Sequence, residues 1–224
     1  MRLVISGLTA AGKTTLARKL ADRFALDYVS ASTLLRQTLG DTSEHWTPEL
    51  DLRRNDLSLE RKVDLLVQDT FRQSEHAVFD CWGLPWLTDN VPGPAVFIWI
   101  ESDPESRFRK CFVSYLERGA PKTYDECRNI VIAKDAKSRE IFMANWGFDI
   151  YTDRSPFNIV LDASSLIERS DVETANQGAR TLYQACLHGL RKVNGMPVVP
   201  SLSPSTDSRQ FIDALIVTLR EDRY

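Results

Sequence analysis

Short apolar runs alternate with longer segments of helical periodicity along the 224-residue chain. The runs are rich in β-branched and aromatic residues, and such composition favours strands. Strands that alternate with helices form a mostly parallel sheet, because right-handed crossovers place helices over both of its faces. We therefore predict an α/β fold with a five-stranded sheet, whose strands lie near residues 3–5, 27–29, 76–80, 95–100 and 157–161.

Capping residues mark the ends of the helical segments. Thr123 and Glu126 have the spacing of a capping box, and Asp103 precedes a proline at the first position of another helix. Gly147 follows the last residue of the helix that the capping box begins. Helices are predicted by these and similar signals near residues 31–39, 58–72, 104–117, 124–146, 170–192 and 208–220.

The first apolar run leads into Ser6-Gly7-Leu8-Thr9-Ala10-Ala11-Gly12-Lys13-Thr14-Thr15, which contains the complete pattern G-x-x-x-x-G-K-[ST]. The two glycines permit backbone angles that let successive N–H groups surround a polyphosphate at a helix N-terminus. Lys13 is expected to reach the β and γ phosphates, and the Thr14 hydroxyl to bind Mg²⁺. This loop predicts that the protein binds ATP with Mg²⁺ through Gly7, Thr9, Ala10, Ala11, Gly12, Lys13, Thr14 and Thr15.

Asp80 ends the third apolar run, at the edge of the sheet onto which the phosphate loop also opens. Ligands of open parallel sheets bind at that edge. We expect Asp80 to hold magnesium through a water molecule or to act as a base toward an alcohol. Trp82 and Trp86 follow in a proline-containing loop, where they either stack against a flat acceptor or serve packing.

Composition excludes several classes of function. A formal charge of −3 removes the large basic face that nucleic-acid binding requires. The four cysteines are widely spaced without a C-x-x-C pair, which argues against a zinc site or a disulfide framework. No stretch approaches the ~20 apolar residues of a membrane span, and the first apolar run is too short for a signal sequence. We expect a soluble, cytoplasmic protein.

The remaining motifs select among the classes of protein that carry a phosphate loop. GTPases are disfavoured, because no Asp-x-x-Gly follows the third strand and no Asn-Lys-x-Asp follows the fifth. A helical insertion after the second strand and a basic helical hairpin after the fourth resemble the nucleoside monophosphate kinases. Within that group the chain is most similar to the archaeal-type cytidylate kinases, over residues 1–166, in the segments 5–14, 28–36, 134–139, 147–150 and 157–162.

This resemblance implies a P-loop kinase-like fold and roles for four further residues. Arg36, with Ser32 in the same segment, would bind the phosphate of the acceptor. Trp82, which the resemblance does not cover, would contact the acceptor by stacking against its base. Lys134 would contact ATP, and Arg139 would be catalytic, as parts of a lid that closes over ATP. The chain departs from the family at Asp80-Cys81-Trp82, where cytidylate kinases usually have an acid-Gly-Arg string, so that one acceptor-phosphate arginine is missing.

The same resemblance divides the chain. Residues 1–166 would form the kinase domain, with an acceptor-binding insertion at about 30–74 and a lid at about 118–146. Residues 167–224 extend beyond the family pattern. We expect this helical extension to pack on the core or on a second subunit, in the latter case as a homodimer.

Three functions remain open from the sequence. The first is an ATP- and Mg²⁺-dependent kinase of a pyrimidine nucleoside monophosphate, with cytidylate as the first choice. The second is a kinase of a nucleoside or another small alcohol, in which Asp80 is the base. The third is a nucleotide-binding regulator without catalytic activity, whose extension contacts a partner.

Overall fold

A six-stranded sheet forms the centre of the molecule. The computed structural model describes residues 1–41, 54, 56–88, 93–193 and 211–220. The strands lie in the order β2-β3-β1-β4-β5-β6, of which the first five are parallel and β6 is antiparallel to β5. Their bounds are β1 Arg2–Gly7, β2 Asp27–Ser30, β3 Ala77–Asp80, β4 Ala95–Glu101, β5 Ile159–Asp162 and β6 Ile216–Leu219.

The helices connect these strands, and most of them begin at a side chain that caps them. Asp56 accepts hydrogen bonds from the N–H groups of Ser58 and Leu59, and Thr123 and Glu126 form the predicted capping box. These caps satisfy N–H groups that have no partner within the helix. The helices are α1 Lys13–Phe24, α2 Ala31–Thr38, α3 Leu57–Gln73, α4 Leu84–Leu87, α5 Pro104–Glu117, α6 Tyr124–Trp146 and α7 Val172–Lys192.

Two apolar layers cover the faces of the sheet. On one face, α1 and α7 pack over strand residues such as Ile5 and Ile98. On the other, α3 and parts of α2, α4 and α6 pack over residues such as Phe79 and Trp99. Because successive side chains of a strand point to opposite faces, near-continuous burial of β1 and β4 requires both layers. The predicted α/β class is thus confirmed.

The sixth strand corrects two predictions. The sheet has six strands where five were expected, and the helix expected over 208–220 is wrong from Ile216 onward. Residues 211–214 form a helical turn, and residues 208–210 lie outside the described residues. The β-branched Ile216-Val217-Thr218 run then pairs with the outer edge of β5, with Val160 opposite Thr218. This pairing satisfies backbone groups of β5 that a helix would have left unpaired.

The extension packs on its own core. In α7, Leu182 and Ala185 belong to the same apolar cluster as Ile159 of β5. A Cβ atom on Gly178 would lie 2.4 Å from the carbonyl oxygen of Leu166, so α7 approaches the preceding backbone too closely for a side chain there. Among the helices of the described residues, none is long and apolar enough to cross a membrane.

Candidate active site

The phosphate loop connects β1 to α1 at the carboxyl edge of the sheet. Gly7 has φ +152° and Gly12 has φ +100°. A residue with a side chain would be strained at these backbone angles. A Cβ atom on Gly7 would also lie 2.7 Å from the carbonyl oxygen of Ile100. Ala10 adopts φ +61°, and the N–H of Ala11 donates to the carbonyl of Leu8 at 3.2 Å. This is the curled backbone that the motif predicts, at the N-terminus of α1.

Lys13 is held inside the loop that precedes it. Its Nζ donates to the carbonyl oxygen of Leu8 at 2.7 Å and lies 5.0 Å from the centre of the Trp82 ring. Burial lowers the pKa of this lysine to about 8, and the carboxylates of Asp80 and Asp135 oppose that shift. The ammonium group is therefore present at neutral pH, in a site where water screens it little.

Thr14 and Asp80 meet at the point where a metal would be expected. The Thr14 hydroxyl donates to Asp80 Oδ2 at 2.6 Å, and the Tyr28 hydroxyl donates to the same oxygen at 2.9 Å. Burial and the neighbouring carboxylate raise the pKa of Tyr28 to about 12, so its hydroxyl stays protonated. Hard oxygen donors of this kind fit Mg²⁺, which keeps several waters and takes few protein ligands. No group of three or more His, Cys, Asp or Glu side chains suited to a metal occurs in the described residues.

A buried ion pair supports the loop from α5 and α6. Arg107 forms a salt bridge with Asp135, and both side chains are almost fully buried. Asp135 Oδ1 accepts the N–H of Thr9 at 3.0 Å, and Arg107 donates to the Thr9 carbonyl at 3.3 Å. Neither residue was among the predicted site residues. A charged residue on an amphipathic helix is usually exposed, so only their burial distinguishes them.

A cavity of about 490 Å³ opens beside the loop, between α1, α2, α3 and the α5–α6 hairpin. Its size lies in the range of small-molecule sites. Of the nine predicted ATP ligands, seven line it directly, whereas Gly7 and Ala11 shape the loop behind it. The predicted residues on its wall are Thr9, Ala10, Gly12, Lys13, Thr14, Thr15, Ser32, Arg36, Asp80, Trp82 and Lys134.

Two buried arginines lie on the cavity wall away from the loop. Arg36 is 8% exposed and donates to the Ser32 carbonyl at 3.3 Å and to the Thr33 hydroxyl at 3.0 Å. Arg54, also 8% exposed, binds both carboxylate oxygens of Glu60, at 2.5 and 3.2 Å. Arg54 was not among the predicted site residues, because its polar surroundings in the sequence indicate only a loop.

The two tryptophans of the loop after β3 have different environments. Trp82 lines the cavity over Lys13, so a stacking role for it stays a prediction. Trp86 instead packs among Trp99, Phe148 and Phe157, with ring centres 5.1–5.9 Å apart. Stacking of Trp86 against an acceptor, one of the two roles considered, is therefore wrong. Trp86 belongs to the short helix α4, which the proline-rich composition did not predict. This helix orients the Trp86 side chain toward the core.

The two predicted lid cations are also separated. Lys134 lines the cavity, together with Lys110 and Arg118. Arg139 does not line it; this residue forms a salt bridge with Asp149 and lies over the Tyr151 ring at 5.1 Å, with its side chain about half exposed. Its catalytic role stays a prediction, and would require the α6 helix to move.

The cavity wall also contains a carboxyl group in unusual surroundings. Asp64 of α3 accepts the indole N–H of Trp146 at 2.7 Å. Burial raises the pKa of Asp64 to about 7; the charge of Glu60 adds to this effect, and Arg54 and the indole hydrogen bond oppose it. Perturbed carboxyl groups in clefts are candidates for function.

Several curated proteins that are similar in sequence to this chain are cytidylate kinases. A cytidylate kinase from Sulfolobus acidocaldarius is 22% identical over 190 residues, which span 84% of this chain and 100% of that protein. A cytidylate kinase from Pyrobaculum arsenaticum is 26% identical over 164 residues, or 73% of this chain and 84% of that protein. No family model matches the chain.

Among solved structures, an uncharacterized protein from Eubacterium ventriosum has the same fold, with a TM-score of 0.54 at 13% identity. The match spans 83% of this chain and 98% of that one. The resemblance that the sequence motifs indicate, to the archaeal cytidylate kinases, is confirmed by the curated relatives.

Proposed function

The chain is a small-molecule kinase related to the archaeal cytidylate kinases, and we propose that it transfers the γ-phosphoryl group of ATP to a pyrimidine nucleoside monophosphate, with cytidylate as the first choice. One observation carries this proposal. The phosphate loop with Lys13 and the buried guanidinium of Arg36 line the same cavity. An anionic donor and an anionic acceptor would thus each have a cation in one site.

ATP would lie along the phosphate loop. The loop N–H groups and Lys13 would hold its β and γ phosphates, while Thr14 and Asp80 would hold Mg²⁺, Asp80 through water. When bound, the magnesium ion would neutralise phosphate charge. Lys134, which also lines the cavity, would add charge from the lid as it closes and help to exclude water.

Hydrogen bonds of Asp80 favour a nucleotide acceptor over an alcohol. An alcohol usually needs a carboxylate free to take its proton, whereas a nucleotide phosphate is already ionised and needs only cations to align it. Asp80 Oδ2 already accepts the hydroxyls of Thr14 and Tyr28. This arrangement suits a group that positions metal-bound water better than a general base.

We assign the predicted segments accordingly. Residues 30–74 would bind the acceptor, with Ser32, Arg36 and Trp82 around it, and residues 118–146 would form the lid. The extension 167–224 would stabilise the kinase domain 1–166. Its pairing with a second copy, the alternative from the sequence, is testable by the mass of the protein in solution.

The test is acceptor-dependent release of ADP. Cytidylate, deoxycytidylate and uridylate are compared with their nucleosides, for wild type, Arg36→Ala, Asp80→Asn and the control Arg72→Ala, whose exposed side chain pairs with Asp69. With a nucleotide acceptor, Arg36→Ala should lower kcat/KM by roughly 10- to 100-fold, as expected for loss of a charged hydrogen bond, and Arg72→Ala should not.

The two other candidate functions give different results in the same assay. Turnover of nucleosides alone, abolished by Asp80→Asn and indifferent to Arg36→Ala, would overturn the choice of acceptor in favour of an alcohol. Binding of ATP without transfer to any acceptor would instead identify a regulator.

A further inference from the structure

One face of α3 forms a wall of the cavity. Glu60, Val63, Asp64 and Val67 follow the i, i+3, i+4, i+7 spacing of a single helix face, and all four line the cavity. This face borders the proposed acceptor position, because α3 packs against α2 and Arg36 of α2 lines the same cavity. The acceptor wall therefore presents two apolar and two acidic side chains.

The two carboxylates have different partners. Glu60 is neutralised by Arg54, which binds both of its oxygens. Asp64 has no ion pair among those found in the described part of the chain, and the indole N–H of Trp146 contacts only its Oδ2 atom. The other residues on this part of the wall are largely apolar, among them Leu84, Leu87 and Phe142.

A carboxyl group on an apolar wall is costly unless a ligand or another group satisfies it. The structure keeps Asp64 there, oriented by Trp146, although Val63 and Val67 show that the face otherwise accommodates aliphatic side chains. Polar groups of this kind on an otherwise apolar pocket wall provide specificity toward the ligand. Asp64 Oδ1 is the atom left for that purpose.

We propose that Asp64 determines the choice of acceptor by accepting a hydrogen bond from the exocyclic amine of an aminopyrimidine base. This inference rests on the proposed function. Arg36 would hold the phosphate and Asp64 the base, at two positions on one cavity wall. An ionised carboxylate accepts hydrogen bonds and donates none, so it attracts the amine of cytosine and repels the carbonyl oxygen that uracil has in its place.

Binding should also change the protonation of Asp64. The charged and titratable groups that face it are Glu60 of its own helix, Arg54 from the segment before it and the Cys81 thiol from the loop after β3. The neutral Trp146 faces it from α6. Burial and Glu60 raise the pKa of Asp64, Arg54 and the indole hydrogen bond lower it, and the resulting value is about 7. At pH 6.5, Asp64 is therefore protonated in a large share of the free protein. An amine donor stabilises the ionised form, and cytidylate binding should release a proton.

The experiment compares Asp64→Asn with Asp69→Asn, a matched change of an exposed carboxylate on the same helix. The ratio of kcat/KM for cytidylate to that for uridylate is measured for both variants and wild type. We expect the ratio to fall roughly 10- to 100-fold in Asp64→Asn, since a hydrogen bond to a charged group is lost, and to stay unchanged in Asp69→Asn.

Calorimetry of the wild type provides a second measurement that does not depend on the folding of a variant. Cytidylate is titrated at pH 6.5 in two buffers of different ionisation enthalpy, with uridylate as the comparison. Proton release with cytidylate and not with uridylate supports the inference.

The outcomes separate the two levels of the proposal. Transfer to cytidylate with an unchanged ratio in Asp64→Asn, or cytidylate binding without proton release, would overturn the role of Asp64 alone. Absence of transfer to every monophosphate would overturn the proposed function, and this inference with it.

Discussion

Burial lowers the pKa of Lys13 toward physiological pH. An exposed lysine has a pKa of about 10.5, but burial lowers the pKa of Lys13 to about 8. The nearby Asp80 and Asp135 carboxylates limit the shift. A bound polyphosphate would favour the charged form further, so binding and protonation of this residue are coupled.

This coupling predicts how nucleotide affinity depends on pH. Below about pH 8 the free protein already carries the ammonium charge, and affinity for ADP with magnesium should be constant. Above about pH 8, Lys13 must take up a proton when the nucleotide binds. The affinity should therefore fall by at most about tenfold per pH unit. Calorimetric titration between pH 7 and 9.5 measures this, with Lys13→Met as the comparison, which should bind weakly and without that slope. An equal slope in both proteins would contradict the assignment.

Helices α5 and α6 are joined to the phosphate loop through a buried charge pair. Arg107 of α5 and Asp135 of α6 contact each other, and both bind the backbone of Thr9. A change in the packing of the hairpin would therefore reach the loop that holds ATP. Removing one partner leaves the other charge buried and unpaired, which costs more than removing both.

We predict a strongly non-additive effect on stability. Asp135→Leu and Arg107→Met should each lower the free energy of unfolding by about 3–5 kcal/mol, whereas the double variant Arg107→Met, Asp135→Leu should recover most of that loss. Urea unfolding of the single and double variants measures the coupling. The exposed Arg72–Asp69 pair is the control, where Arg72→Ala should cost less than about 1 kcal/mol. Additive losses at Arg107 and Asp135 would argue against the pair as a unit.

At the scale of the whole molecule, β6 closes one edge of the sheet. It covers the β5 backbone through antiparallel pairs, and Ile212 and Leu215 just before it belong to the apolar core. Without this segment, β5 would present unpaired N–H and C=O groups beside exposed apolar side chains. Such an edge is a site of self-association.

Truncation after residue 193 should therefore damage the fold more than the chemistry. We expect a lower melting temperature and concentration-dependent association, because the β5 edge and its neighbouring core become exposed. Truncation after Arg220 keeps β6 and is the control. Thermal unfolding and sedimentation velocity distinguish the two proteins. A soluble, monomeric protein of wild-type stability after the longer truncation would show that β6 is dispensable.

Local patterns in the sequence determined much of the fold. The bounds of α5 and α6 agree with those predicted, since an N-cap or a capping box acts within one helical turn. The phosphate loop was predictable for the same reason, because the positive φ angles of Gly7 and Gly12 and the hydrogen bond from Lys13 to Leu8 lie within one short segment. The position of Asp80 in the site was predictable because this residue ends a strand at the carboxyl edge of the sheet.

Long-range contacts decided the rest. The run at 216–219 has both helical and strand character, and its pairing with β5, more than 50 residues away in the chain, selects the strand. Trp86 looked equivalent to Trp82 until α4 turned it into the core. Arg54, Asp64, Arg107 and Asp135 are ordinary charged residues in the sequence. Their burial comes from helices that meet only in the folded chain, and burial makes a charge energetically consequential.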